Sequence, residues 1–132
     1  MNFSDTSAFF AILDRDDPNH EISLKIWARL VTNDETILTT NYVILESYTL
    51  LQRRLGMDIV KNFHEHIIPF LQIIWVDQAL HNAGVEALLR ENRRRLSLVD
   101  CVSFEVCRQQ GIESVFAFDQ HFTEQGFTTL SS

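Results

Sequence analysis

The chain has 132 residues, the size of one ordinary domain. Hydrophobic residues make up 45 %, ten of them Phe, and charged residues 22 %, so a packed core is expected and intrinsic disorder is not. The net charge of −7 argues against broad, non-specific nucleic-acid binding, and four Gly with two Pro are too few for a many-turned all-β chain.

Residues 2–4 are a short apolar start suited to a strand, and Phe9, Phe10, Ile12 and Leu13 follow at helical spacing. Asp16-Asp17-Pro18-Asn19 breaks that pattern, with Asp17 or Asn19 able to cap the next helix. Residues 21–32 carry Ile22, Leu24, Ile26, Trp27, Leu30 and Val31 on a wide helical face. After the turn at Asn33-Asp34-Glu35, residues 36–40 have the composition and length of a strand. Residues 41–55 are expected to form a long helix closed by Gly56. The next helix starts at Asp58 and reaches about Ile67, where Pro69 interrupts.

Residues 71–76 are an apolar run fit for a buried strand. Asp77 caps a helix running to about Arg94; Ser97 opens another, which Gly111 closes. Residues 114–118 form a strand, 119–124 a helical turn and 127–130 a last short strand. This alternation predicts a parallel sheet with helices on both faces, as one domain over residues 1–132. In such sheets ligands gather beyond the carboxyl ends of the strands.

Asp5 follows the first strand and Asp119 the fourth, so both are expected on that edge. Each also has a structural explanation as the N-cap of the helix after it. Asp100 stands three residues after Ser97, the spacing of a capping box, but its neighbours are apolar. Glu46 lies mid-helix with Tyr42, Val43, Thr49 and Leu50 at helical spacing, so no local base pairs with it. Four carboxylates converging on one edge would repel each other, each pair costing on the order of 4 kcal/mol at ~4 Å and an effective dielectric of ~20. Such a cluster must take up protons or bind a cation. Hard carboxylate oxygens without His or Cys select Mg²⁺ or Mn²⁺ over zinc.

The segments Asp5-Thr6-Ser7-Ala8-Phe9-Phe10, the helix around Glu46, Leu96-Ser97-Leu98-Val99-Asp100 and Phe118-Asp119-Gln120-His121-Phe122 together resemble the four motif regions of PIN domains. That family includes the toxin subunits of VapBC-type toxin–antitoxin pairs. The resemblance spans residues 3–130, with the motifs in the same order. It implies a single-domain five-stranded parallel sheet flanked by helices, and Mg²⁺- or Mn²⁺-dependent hydrolysis of RNA by in-line attack of water. It further implies Asp5, Glu46, Asp100 and Asp119 as catalytic metal ligands and Ser7 as a hydroxyl supporting Asp5. Thr40, Asn41 and His121 are expected close to the site or the substrate. A non-catalytic PIN-fold module that binds RNA or protein is the alternative.

Other chemistries fit less well. His64 and His66 are two apart on a helix and cannot face one metal together. There is no Gly-x-Ser-x-Gly nucleophile elbow and no Gly-rich phosphate loop. A receiver domain would need an acid pair after the first strand, and an aspartate-nucleophile phosphatase would need an acid where Ser7 stands. Phe9, Phe10, Trp27, Phe63, Phe70 and Trp75 fall at core spacing. The clustered bases Arg53–Arg54 and Arg90, Arg93, Arg94 and Arg95 read first as solvated helix ends, and second as a contact surface for phosphates or an acidic partner.

The longest apolar run, residues 67–76, is too short to span a bilayer, and the first five residues have no basic region of a secretory signal. Cys101 and Cys107 are in no ligand or redox spacing, so buried free thiols in a reducing, cytoplasmic setting are expected. The apolar faces of residues 21–32 and 41–55 exceed what one small sheet buries. A homodimer or the apolar segment of a small antitoxin protein is expected to cover the excess.

Overall fold

The computed structural model describes residues 1–131. Five strands form one sheet in the order β3-β2-β1-β4-β5, and every pairing is parallel. β1 (Asn2–Ser4) and β2 (Ile37–Thr40) are buried along their whole length, as strands covered by helices on both faces must be. β4 (Ser114–Phe116) flanks β1 on the other side, and β5 (Thr128–Thr129) ends the sheet there. The strand order therefore reverses at β1. A crevice opens between the carboxyl ends of β1 and β4, where sheets of this kind bind ligands.

Seven α-helices cover the sheet: α1 (Thr6–Leu13), α2 (His20–Thr32), α3 (Asn41–Leu55), α4 (Met57–His66), α5 (Gln78–Glu91), α6 (Leu98–Gln110) and α7 (Gln120–Glu124). α3 has the expected bounds because both ends carry stop signals. The Thr40 hydroxyl accepts from the Val43 N–H, and Gly56, at φ +93°, closes the other end. α3 is docked on α1 by two buried hydroxyls. Thr6 Oγ1 donates to the Val43 carbonyl at 3.3 Å, and Ser47 Oγ donates to Thr6 Oγ1 at 3.2 Å. α5 and α6 meet at Gly84, where a Cβ would collide with the Val102 side chain. Only glycine allows that approach.

Three expectations are corrected. β3 is shorter than the expected buried strand, running Leu71–Ile74 at the sheet edge with Gln72 exposed. It pairs only with β2, and an apolar run cannot reveal whether a strand has one neighbour or two. For the same reason Phe70 and Trp75, expected in the core, are 53 % and 72 % exposed, whereas Phe9 and Phe63 are fully buried with ring centroids 5.4 Å apart. Finally, α5 stops at Glu91 because Asn92 adopts the left-handed conformation at φ +51°. Arg93, Arg94 and Arg95 thus follow the helix rather than end it, and Arg93 pairs with Glu124 at 3.0 Å.

Candidate active site

The crevice at the strand ends is a cleft of about 370 Å³ whose walls include Asp5, Glu46, Asp100 and Asp119 together with Ser7 and Ser97. The four acids singled out in the sequence thus meet, each brought in by a different element.

Asp5 leaves the end of β1 and caps α1. Its Oδ2 accepts from the Ser7 N–H at 3.3 Å and from Ser7 Oγ at 2.8 Å. Ser7 Oγ in turn accepts the Phe118 N–H at 2.9 Å, which ties the end of β1 to the segment after β4. Asp100 sits in the first turn of α6 within the capping box expected from its spacing. Ser97 Oγ accepts the Asp100 N–H at 3.0 Å, and Asp100 Oδ2 accepts the Ser97 N–H at 3.2 Å. Asp119 caps α7 through the His121 N–H at 2.9 Å. The capping explanations are correct, and they leave each of these acids in the cleft wall. Glu46 is half-buried, and none of the ion pairs among the described residues engages it.

Electrostatics follow from burial. Asp5 is 4 % exposed, and desolvation pushes its carboxyl up to about 7. The charges of Asp100 and Glu46 push the same way, and the hydrogen bonds from Ser7 oppose them. Burial also raises Asp100, with Asp119 and Glu46 adding to the effect and the Ser97 hydrogen bonds working against it. These carboxylates are therefore electrically linked and short of positive charge.

The arrangement fits a hard divalent cation. Asp100, Asp119 and His121 offer ligand atoms that all lie within 4.8 Å of one another, and further carboxylate oxygens stand across the cleft on Asp5 and Glu46. His121 was expected close to the site or the substrate, not among the ligands. The structure places it beside the acids, with Nε2 3.9 Å from Asp119 Oδ1 and Nδ1 3.5 Å from Glu124 Oε2. Thr40 and Asn41 are outside the cleft wall. Thr40 is a buried cap of α3, and Asn41 Oδ1 accepts the Val76 N–H at 2.7 Å, holding β3's exit to α3.

Phe10, Asp17 and Asn19, which the sequence reading did not assign to the site, enter the cleft from α1 and the loop after it. Arg54, one of the clustered bases read second as a phosphate-contact surface, enters from α3. Arg54 stands eight residues after Glu46, with Leu50 between, so helical spacing from Glu46 was the signal that could have placed it in the same cleft. A second, apolar slot of about 260 Å³ lies on the other side of Glu46, between Tyr42, Leu45, His81, Leu98 and Val99.

The family model of the PIN domain matches residues 3–127. The chain is 33 % identical to the 23S rRNA-specific endonuclease VapC20 of Mycobacterium tuberculosis, over 98 % of both proteins. The crystal structure of that protein, a Sarcin-Ricin loop cleaving toxin, matches with a TM-score of 0.89 at 30 % identity over 100 % of both chains. FitAcB from Neisseria gonorrhoeae matches with a TM-score of 0.69 at 15 % identity over 98 % of this chain and 96 % of the other, a likeness of fold alone. With a family match reaching from β1 almost to the last strand, and a relative that shares this identity along nearly its full length, the chain belongs to the PIN-domain family.

Proposed function

We propose that this chain is a metal-dependent endoribonuclease, the toxin of a toxin–antitoxin pair or a stand-alone relative. It cuts RNA phosphodiester bonds in the cleft of Asp5, Glu46, Asp100 and Asp119. The observation that carries this reading is the convergence of four carboxylates in one cleft, two of them, Asp5 and Asp100, buried there with their carboxyls raised by desolvation. Buried like charges of this kind persist by binding protons or a cation, and a set of carboxylate oxygens with at most one imidazole and no thiolate suits Mg²⁺ or Mn²⁺. The relative's name, an endonuclease specific for 23S rRNA, supports RNA as the substrate.

In this reading the four acids hold the ion. Bound there, Mg²⁺ or Mn²⁺ supplies Lewis acidity and lowers the pKa of water. Ser7 turns Asp5 into the cleft and lowers its proton affinity, keeping it available as a ligand near neutral pH. Ser97 does the same for Asp100. Water oxygen then bonds to phosphorus in line with the departing ribose oxygen, which takes up the proton that the water releases.

Partners belong to the same proposal. Ile22 and Leu24 on α2, each 42 % exposed, and Leu45 on α3, 67 % exposed, are apolar surface that a small antitoxin or a second copy of the chain would cover. No helix of the described residues is long and apolar enough to cross a membrane. A cytoplasmic setting goes with an RNA target and with the buried free thiols of Cys101 and Cys107.

Purified protein should cut ribosomal RNA with Mg²⁺ or Mn²⁺ and stop on addition of EDTA. Equal cutting by wild type, Asp5→Asn and Asp100→Asn would place the chemistry elsewhere. Absence of both cutting and divalent-cation binding would leave a PIN-fold binding module.

A further inference from the structure

We propose that Arg54 grips a phosphate of the RNA strand that flanks the scissile one, and so directs the strand along α3; this rests on the ribonuclease reading above. An acidic cleft in a chain of net charge −7 repels a polyanion, so something other than the ion must draw the strand in. The cleft wall carries five acids, Asp5, Asp17, Glu46, Asp100 and Asp119, and a single basic side chain, Arg54.

Arg54 is positioned but not consumed. Its guanidinium lies over the Phe10 ring, 5.8 Å from the centroid, which orients the planar fork without neutralising it. Among the described residues it makes no ion pair, although five acids share its cleft wall. A guanidinium that served only to quiet the carboxylates would be paired with one of them. A cation that served only the carboxyl end of α3 would have no reason to line the cleft. Arg53, next to it in the last turn, meets that purpose and lies outside the cleft wall.

Spacing along the helix assigns the contact to a flanking phosphate. Glu46, Leu50 and Arg54 follow at intervals of four, so they form one stripe of α3, with Glu46 and Arg54 separated by about 12 Å at 1.5 Å per residue. Glu46 stands with the acids at the reacting position; Arg54 stands two turns further along the strand's exit. Its five N–H donors in a fixed fork match the oxygens of a phosphodiester.

The test measures RNA cleavage by the full chain, as wild type, Arg54→Gln, Arg54→Lys and Lys25→Gln, between 50 and 200 mM salt (roughly the range where counterion release is read). Lys25 is an exposed base on α2 outside the cleft and serves as the control for net charge. Arg54→Gln should raise KM on the order of tenfold, leave kcat within about twofold, and flatten the dependence of log(kcat/KM) on log salt by about 0.7, the value for one single-strand phosphate. Arg54→Lys should recover the salt slope and part of KM, and Lys25→Gln should behave as wild type. Mn²⁺ titration should show no weaker ion binding in Arg54→Gln. An unchanged KM and salt slope in Arg54→Gln overturns the proposal, as does a fall in kcat alone, which would mean action through the carboxylates. If wild type itself cuts no RNA with Mg²⁺ or Mn²⁺, the ribonuclease reading fails and this proposal with it.

Discussion

Ser7 Oγ donates to Asp5 Oδ2 at 2.8 Å while it accepts the Phe118 N–H at 2.9 Å, so one hydroxyl both steers the buried carboxylate and fastens the two strand ends that frame the cleft. Removing it should be felt twice. In Ser7→Ala the Phe118 N–H, half-buried at the cleft wall, loses its acceptor, which costs about 1 kcal/mol. Asp5 also loses hydrogen bonding that holds its proton affinity down, so the acid limb of the pH–rate profile should move to higher pH. A melt and a pH profile of the variant check both effects. A stability loss without any movement of the profile would show that Ser7 acts on the fold alone.

The raised Asp5 carboxyl makes the metal-free protein pH-sensitive in a defined direction. Its ordinary value is 3.8 and its value in the fold is about 7. Between these, the folded state keeps a proton that the unfolded state has released. The contribution of this group to stability is therefore full below about 3.8 and is lost as pH rises through about 7. At about 1.36 kcal/mol per pH unit, the loss across the window is on the order of 4 kcal/mol. Denaturation without divalent ions should show stability falling with pH, more steeply in wild type than in Asp5→Asn. Mg²⁺ or Mn²⁺ should restore stability mostly above pH ~7, where the proton no longer competes for the carboxylate.

Gly84 controls how closely α5 lies on α6, the helix that carries Asp100. A methyl group in Gly84→Ala meets Val102, and overpacking at such a crossing costs about 1–3 kcal/mol. Adding Val102→Ala should recover part of that loss, a coupling that a double-mutant cycle measures. Simple additivity of the two substitutions would mean that the helices separate without strain.

The parts of this protein legible in its sequence are those decided within one element. α3 could be bounded because Thr40 and Gly56 stop it, and the Asp100 capping box could be recognised from its spacing to Ser97. The acids after β1 and β4 follow from strand polarity once the sheet is taken as parallel. What depends on how elements meet was not legible. Trp75 reads like any core aromatic until β3 is known to be an edge strand, and Gly84 looks like a helix defect until Val102 is set against it. Asn41 stands at the end of a strand as a site residue would, yet its amide oxygen is used by Val76. Arg54 reads as a helix-end cation or a phosphate contact with nothing to choose between them until α3 packs beside α1 and puts it over Phe10 in the cleft wall.

Glu46 separates the chemistry from the fold more cleanly than the other acids. Asp5 and Asp119 each cap a helix and Asp100 completes the capping box of α6, so their substitution disturbs local structure as well as charge. Glu46 is half-buried, caps nothing, and makes none of the ion pairs among the described residues. Glu46→Gln should then change metal-free stability by no more than about 0.5 kcal/mol. It should even ease the proton affinity of Asp5 and Asp100, because the Glu46 charge raises both. Its loss should appear only with the ion: Mn²⁺ should stabilise the variant less than wild type, and RNA cutting should fall by at least about 10²-fold, the cost of losing a charged group that acts in the transition state. Melts with and without Mn²⁺ alongside cleavage assays check this. A variant that keeps wild-type cutting and wild-type stabilisation by Mn²⁺ would remove Glu46 from the site and leave the ion to the group formed by Asp100, Asp119 and His121.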